Sequence, residues 1–285
     1  MRFLILLLLL CNVILCVPFE IRSQEKPIDP GSISFTILYN DVPLNESFIG
    51  DQGFSCFIEI PDHAFLFDAG RIAEHLARNT EKSGIDCSKI DFIFISHLHS
   101  DHIGGLPGII EKCDRPLLYL PFSFPKTQTA KGRTFIVERL DRVKRYVSDV
   151  VEIKEPVKLN EYFYSTGMIE DRTYEQAFII TTTKGLMIVT GCSHPGIVEI
   201  VRRAKTFMKR EVYFVMGGFH LAATDSEEVK SIATELRGLT KFIAPCHCTG
   251  EAAQETFRSV FREDYIEIKT GLTFKVVAKN ENVID

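Results

Sequence analysis

The chain carries no basic excess: 33 lysines and arginines stand against 38 aspartates and glutamates, a formal net charge of −5. That balance lacks the electrostatic footprint of a nucleic-acid binder, and no nucleic acid is expected as a partner. The basic stretches Arg139–Arg145 and Arg202–Arg210 read as solvated helix faces. The composition also lacks the marks of disorder, since 45% of residues are hydrophobic and 25% charged. At 285 residues there is ample apolar material for a sizeable core. Eight cysteines are present, but their spacing matches no small disulfide scaffold. Missing, too, is the run of ~20 apolar residues that a spanning helix requires. The hydrocarbon stretch Phe3–Val17 has 15 residues.

That stretch follows Met1-Arg2 and has no amphipathic face, which fits the core of a signal peptide. We expect residues 1–24 to be a signal peptide or N-terminal anchor, 25–32 a linker, and 33–285 a catalytic domain. Export follows, to a periplasmic, extracellular or membrane-anchored location, with a membrane tether through the N-terminus as one outcome. Lipid attachment at Cys16 is an alternative that Leu15 fits poorly.

The remaining chain alternates strand-like and helix-like segments, which implies a layered α/β domain. Strands are expected at Ile33–Asn40, in a hairpin of Phe54–Ile60 with Ala64–Asp68, and at Asp91–Ser96, Pro116–Leu120 and Val150–Ile153. Helices are expected over Gly70–Asn79, from His102 to about Cys113, and around Val137–Val147. The second half offers strands Ala177–Thr183, Leu186–Thr190, Val212–Met216 and Lys241–Ala244. Helices lie between them around Gly196–Phe207 and Ser226–Leu236, and strand-like segments at Tyr265–Ile268 and Phe274–Val277 close the chain. Four of these strands stop at a histidine-bearing loop, and in α/β sheets sites collect where strand ends converge.

The densest such loop is His97-Leu98-His99-Ser100-Asp101-His102. So many ligand-type groups in so short a run cannot all be satisfied core residues. Imidazole and carboxylate suit zinc first, with iron or manganese as alternatives. In an extended loop His97 and His99 point the same way and can grip one ion, while Asp101 and His102 reach a second. His63 and His75, in a turn and on a helix face, read as structural.

The run His97–Leu106 resembles the signature of the metallo-β-lactamase superfamily, and Asp68 matches the aspartate that precedes it there. The resemblance spans about Ile33 to the C-terminus and implies an αββα four-layer sandwich with one or two divalent metals in an edge cleft. Gly53-Phe54-Ser55-Cys56, Thr190–Ile197, Gly217–Leu221 and Pro245–Gly250 resemble the branch named dihydropterin–ribofuranosylaminobenzene 5′-phosphate synthase, most of whose members are called simply metal-dependent hydrolases.

By that resemblance His247 is the last histidine ligand, and Cys192 stands where many members carry an aspartate that bridges two metals. No histidine lies between His102 and His194. The usual nitrogen ahead of Cys192 is therefore missing, with His194 a substitute and Glu175 a weaker one. Asp68 would hold a histidine tautomer from behind, and Asp101 would orient the attacking group besides ligating. His220 falls where some relatives place a catalytic histidine, to protonate a leaving group or hold a phosphate. Its alternative is a structural role. Cys246 and Cys248 alternate with His247 and are expected to point away from it in an extended segment, with a disulfide or packing role standing level with ligation.

The function implied is hydrolysis by metal-bound hydroxide at an ester, phosphoester or similar bond of a small-molecule substrate, phosphorylated compounds included. The alternatives are a transferase joining a pterin to an aminobenzene ribotide, which export argues against, and a non-hydrolytic metal or redox protein.

Overall fold

The computed structural model describes residues 27–122, 141–171 and 173–277. The expected leader and the start of the helix expected at Val137–Val147 lie outside them. Within the described residues the chain forms two sheets. The first has seven strands in the order β13 (Thr273–Phe274), β1 (Ser34–Tyr39), β2 (Ser55–Ile60), β3 (His63–Phe67), β4 (Ile90–Phe94), β5 (Leu117–Pro121) and β6 (Val150–Ile153). The second has six, in the order β12 (Thr240–Cys246), β11 (Val212–Gly218), β10 (Gly185–Thr190), β9 (Phe178–Thr182), β8 (Phe163–Ser165) and β7 (Val157–Lys158).

Side-chain alternation decides which face each strand buries. In β1 to β4, Phe35, Ile37, Cys56, Ile58, Phe65, Phe67, Phe92 and Phe94 point between the sheets. Their alternates, Leu38, Tyr39, Phe57, Leu66 and Ile93, point outward under a helical layer. That layer holds α1 (Ala73–Lys82) and α2 (Ser100–Ile103). On the second sheet Met187, Val189, Phe214 and Met216 face inward, whereas Leu186, Ile188 and Val215 face α3 (Ile197–Met208), α4 (Ser226–Leu239) and α5 (Glu251–Phe261). α3 turns Ile197, Ile200, Val201, Ala204 and Met208 to that sheet, one stripe at helical spacing. The result is helix, sheet, sheet, helix: the expected αββα sandwich.

Three local expectations give way. The helix expected from His102 to Cys113 breaks into α2 and 3-10 turns at Leu106–Gly108 and Ile110–Lys112. Gly104 and Gly105 press against the carbonyls of Arg71 and Ala69, and Pro107 cannot donate to a continuing helix. The linker at 25–32 is partly integrated, since Ile28 is buried and bridges Thr182 beside the second sheet. Among the described residues of the C-terminal stretch only Thr273–Phe274 is strand, and Tyr265 makes an isolated bridge to Ile243. The helix Glu251–Phe261 has no counterpart in the sequence reading. Its buried stripe is only Ala253, Phe257 and Phe261.

For function, strand direction matters most. β3, β4, β5 and β6 run parallel to one another, as do β10, β11 and β12. The C-terminal ends of each set therefore open along one edge. Phe178 pins the sheets together behind that edge, its ring centroid 4.7 Å from Phe65, 5.0 Å from Phe94 and 5.3 Å from Phe163. Phe178→Ala is expected to lower stability by about 3–5 kcal/mol in urea titration, and a loss under 1 kcal/mol would show that the sheets repack.

Candidate metal centre

Five of the strands that end at this edge are followed by groups with chemistry to offer. β3 gives Asp68, β4 gives Ser96 to His102, β10 gives Cys192 and His194, β11 gives His220, and β12 gives His247. Asp68, Ser193, His220 and His247 adopt left-handed backbone, with φ of 53°, 61°, 53° and 49°. Such residues turn the chain sharply off the strand, and the strain is typical of functional sites.

The donors converge. Ligand atoms of Asp101, His102, Cys192 and His247 lie within 4.8 Å of one another, as do those of His97, Cys192 and His194. Cys192 belongs to both groups. His99 joins the second through Nδ1, 3.2 Å from His97 Nε2, with its ring 4.9 Å from that of His194. Every expected metal ligand is thus brought into one cluster, and His194 occupies the third-imidazole place beside His97 and His99.

Partners outside the cluster decide how each ring faces it. His102 Nδ1 lies 2.7 Å from Asp68 Oδ2, so the proton sits there and Nε2 turns inward, 3.1 Å from Cys192 Sγ. Ser96 donates its amide and hydroxyl to Asp68, both at 2.7 Å. With its proton spent, the Ser96 oxygen accepts from His97 Nδ1 at 2.9 Å and frees His97 Nε2. His194 Nδ1 lies 2.8 Å from Glu175 Oε2 and His247 Nδ1 lies 2.9 Å from Asp41 Oδ1. Each of these four rings is anchored at Nδ1.

Glu175 is therefore not a substitute ligand. Its fully buried carboxylate stands behind His194 and accepts the backbone N–H groups of Cys192, Ser193 and His194 at 2.8–2.9 Å. Asp41 and Glu175 are supporting groups whose roles the sequence did not mark, because contact with a ring from a distant strand leaves no local pattern. Cys248 is a second correction. The chain leaves extended geometry at Cys246 and tightens into a 3-10 turn at His247–Thr249. The Cys248 thiol consequently returns to the centre, within 4.8 Å of Cys192 and His220 donors, while Cys246 stays in the intersheet core. His220, exposed, has its ring centroid 4.7 Å from that of His194, the two rings tilted by 43°. His63 and His75 lie elsewhere, paired with Asp91 and Asp51.

Three features fit a divalent metal. The buried Nε2 of His247 has no hydrogen-bond partner, although Asp101 Oδ2 is 3.3 Å away. Burial first, then the surrounding imidazoles, pushes His97 well below the usual histidine value and leaves it neutral with a free lone pair. Burial would raise Asp101, but His247 and His102 overrule it and hold the carboxyl below its ordinary range. Nitrogen, thiol sulfur and one carboxylate oxygen form a donor set for a borderline cation. The backbone closes tightly around them: a Cβ on Gly191 would collide with Ser96 Oγ and come within 3.0 Å of His97 Nδ1.

Fold and site together define a metal-binding αββα protein. Residues 49–190 match the metallo-β-lactamase superfamily, and the chain belongs to it. The 7,8-dihydropterin-6-methyl-4-(β-D-ribofuranosyl)-aminobenzene-5′-phosphate synthase of Methanocaldococcus jannaschii is 29% identical over 280 residues, covering 85% of this chain and 95% of that protein. A solved metal-dependent hydrolase of the β-lactamase superfamily superposes with a TM-score of 0.68 at 24% identity, over 86% of this chain and 100% of its own. Zinc-bound PqqB of Methylobacterium extorquens shares the fold at a TM-score of 0.53 and 11% identity, over 85% of this chain and 100% of its own.

Glu175 yields a prediction. Burial alone would raise its carboxyl, but His194 and the amides of the loop hold it down to about 2 from 4.5. A depressed folded value stabilises fully above the unfolded value, and that contribution fades as pH falls toward the folded one. Metal-free Glu175→Gln is expected to lose about 3 kcal/mol at pH 7 in urea titration. The gap to wild type should close as pH falls from 4.5 toward 2, and a gap independent of pH would contradict the assignment. Metal affinity of the same variant should fall by about 10–100-fold in chelator competition.

Proposed function

We propose that this protein is a metal-dependent hydrolase acting on an ester, phosphoester or similar bond of a small-molecule substrate. One observation carries the reading: His97, His99, His102, His194 and His247 converge with Asp101 and Cys192 on one open edge of the sandwich. Zinc is the metal we assign, because it accepts nitrogen, sulfur and carboxylate donors together, with iron or manganese as alternatives. A divalent ion held there would supply Lewis acidity and make a coordinated water easier to deprotonate near neutral pH.

The chain's own groups divide the remaining work. His97, His99 and His194 form one imidazole set, and Asp101, His102 and His247 form the other, with Cys192 between them. Asp101 remains ionised, so it orients a neighbouring polar group rather than storing a proton. Hydrogen bonding to Cys248 raises His220 above the usual histidine value. His220 is also exposed and beside His194, which suits it to protonate a leaving group or hold a phosphate. The hydrocarbon stretch Phe3–Val17 supports an exported or membrane-tethered setting.

A second reading is a pterin-handling synthase, favoured by the 29% identity that runs through 95% of the Methanocaldococcus jannaschii enzyme. The centre would then bind a diphosphate leaving group.

Metal quantification with an ester, phosphodiester and lactone panel, run on wild type and His99→Ala, tests the first reading. Wild type should hold divalent metal and turn over at least one substrate class, and the variant should lose at least about 100-fold in activity along with metal. Equal metal content and activity in both would sink it. Product formed only from a pterin diphosphate and the aminobenzene ribotide would favour the synthase. His220→Asn should keep its metal and lose about 10²–10⁴-fold in kcat on substrates with poor leaving groups.

A further inference from the structure

Among the described residues, Cys248 is the one sulfur at the centre that the proposed ligand set leaves unused. Its Sγ, the Sγ of Cys192 and a ring nitrogen of His220 all lie within 4.8 Å of one another. It also approaches the Cys192 carbonyl at 3.7 Å and is held over Gly218, where a Cβ would meet it at 2.6 Å. The two thiols come from different strand ends, one after β10 and one after β12. Their exposure differs: Cys192 is 3% exposed, whereas Cys248 is only partly buried and opens toward exposed His220.

We propose that Cys192 and Cys248 form a reversible disulfide, a modification site that withdraws the Cys192 sulfur from the metal centre. The oxidant is a small-molecule disulfide. The Cys248 thiolate, the more accessible, attacks one oxidant sulfur, that S–S bond breaks, and one thiolate leaves. Cys192 gives its proton to solvent and attacks Cys248 Sγ, expelling the second thiolate. Two protein thiols become one disulfide, and one oxidant disulfide becomes two thiols. A sulfur in that bond is no longer an anionic ligand, so oxidation and full metal loading exclude each other. The pairing stands on the thiol geometry alone. Only the exclusion rests on Cys192 being a metal ligand.

Full-length metal-free and zinc-loaded protein, each treated with oxidised glutathione and digested with trypsin without reduction, provides the test. Cys192 falls in peptide 185–202 and Cys248 in peptide 242–258, which also contains Cys246. The metal-free sample should yield these two peptides linked, and fragmentation should place the bond at Cys248. The link should disappear on reduction, be lost in Cys248→Ser and survive in Cys246→Ser. Zinc loading should suppress it, and oxidised protein should bind less zinc until reduced. Separate peptides, with glutathione accumulating on Cys248, would overturn the pairing, as would a bond placed at Cys246. A link formed equally in zinc-loaded protein that keeps all its zinc would overturn the exclusion and leave the hydrolase reading to its own assay.

Discussion

Three carboxylates that stand behind the metal-facing atoms hold the centre in shape: Asp68 on His102, Glu175 on His194 and Asp41 on His247. Five imidazoles packed this closely gain little from one another, since each added positive charge opposes the next. Fixing the proton of a ring on its outer nitrogen keeps the inner one a lone pair, and the carboxylate makes that lone pair more basic. The carboxylates need support in turn. Asp68 draws on Ser96 and Glu175 on three consecutive amides, so the polar network extends into the backbone of both sheets.

The same network explains why the site forms at a sheet edge. Parallel strands deliver their C-terminal ends together, and the aromatic packing around Phe178 fixes the separation of the two sheets. Small movements of that packing would change ring-to-ring distances across the cleft, because His97 to His102 belong to the first sheet and Cys192, His194 and His247 to the second. The hydrophobic core is thereby part of the metal geometry.

Much of this was legible in the sequence for a simple reason. Alternating residues such as Phe35, Ile37, Phe65 and Phe67 announce strands, and the ligands of the first loop are adjacent in the chain. His194 and His247 were readable because each follows a strand-like run. Glu175, Asp41 and Cys248 were not, since their roles come from tertiary contacts across the two sheets. Cys248 was misplaced because an alternation rule was applied past the end of a strand, where His247 turns left-handed. The broken helix after His102 failed for a related reason: close backbone contacts at Gly104 and Gly105 outrank local periodicity.

At position 192 the cluster presents a thiol, shared by both groups of donors. Sulfur is softer and more polarisable than oxygen, so a donor set that includes it leans toward softer cations than an all-oxygen one would.

The left-handed residues at the strand ends bear on how this protein tolerates change. A non-glycine residue in that conformation costs roughly 1–2 kcal/mol, which glycine would recover. Asp68, His220 and His247 sit at such positions while facing the centre. Selection for thermal robustness alone would therefore drift toward glycine at the very places where the chemistry is carried. Ser193 shares the conformation without being a metal donor, though its hydroxyl still holds the Gly218 carbonyl. An engineer seeking a hardier variant would begin there and leave the other three untouched.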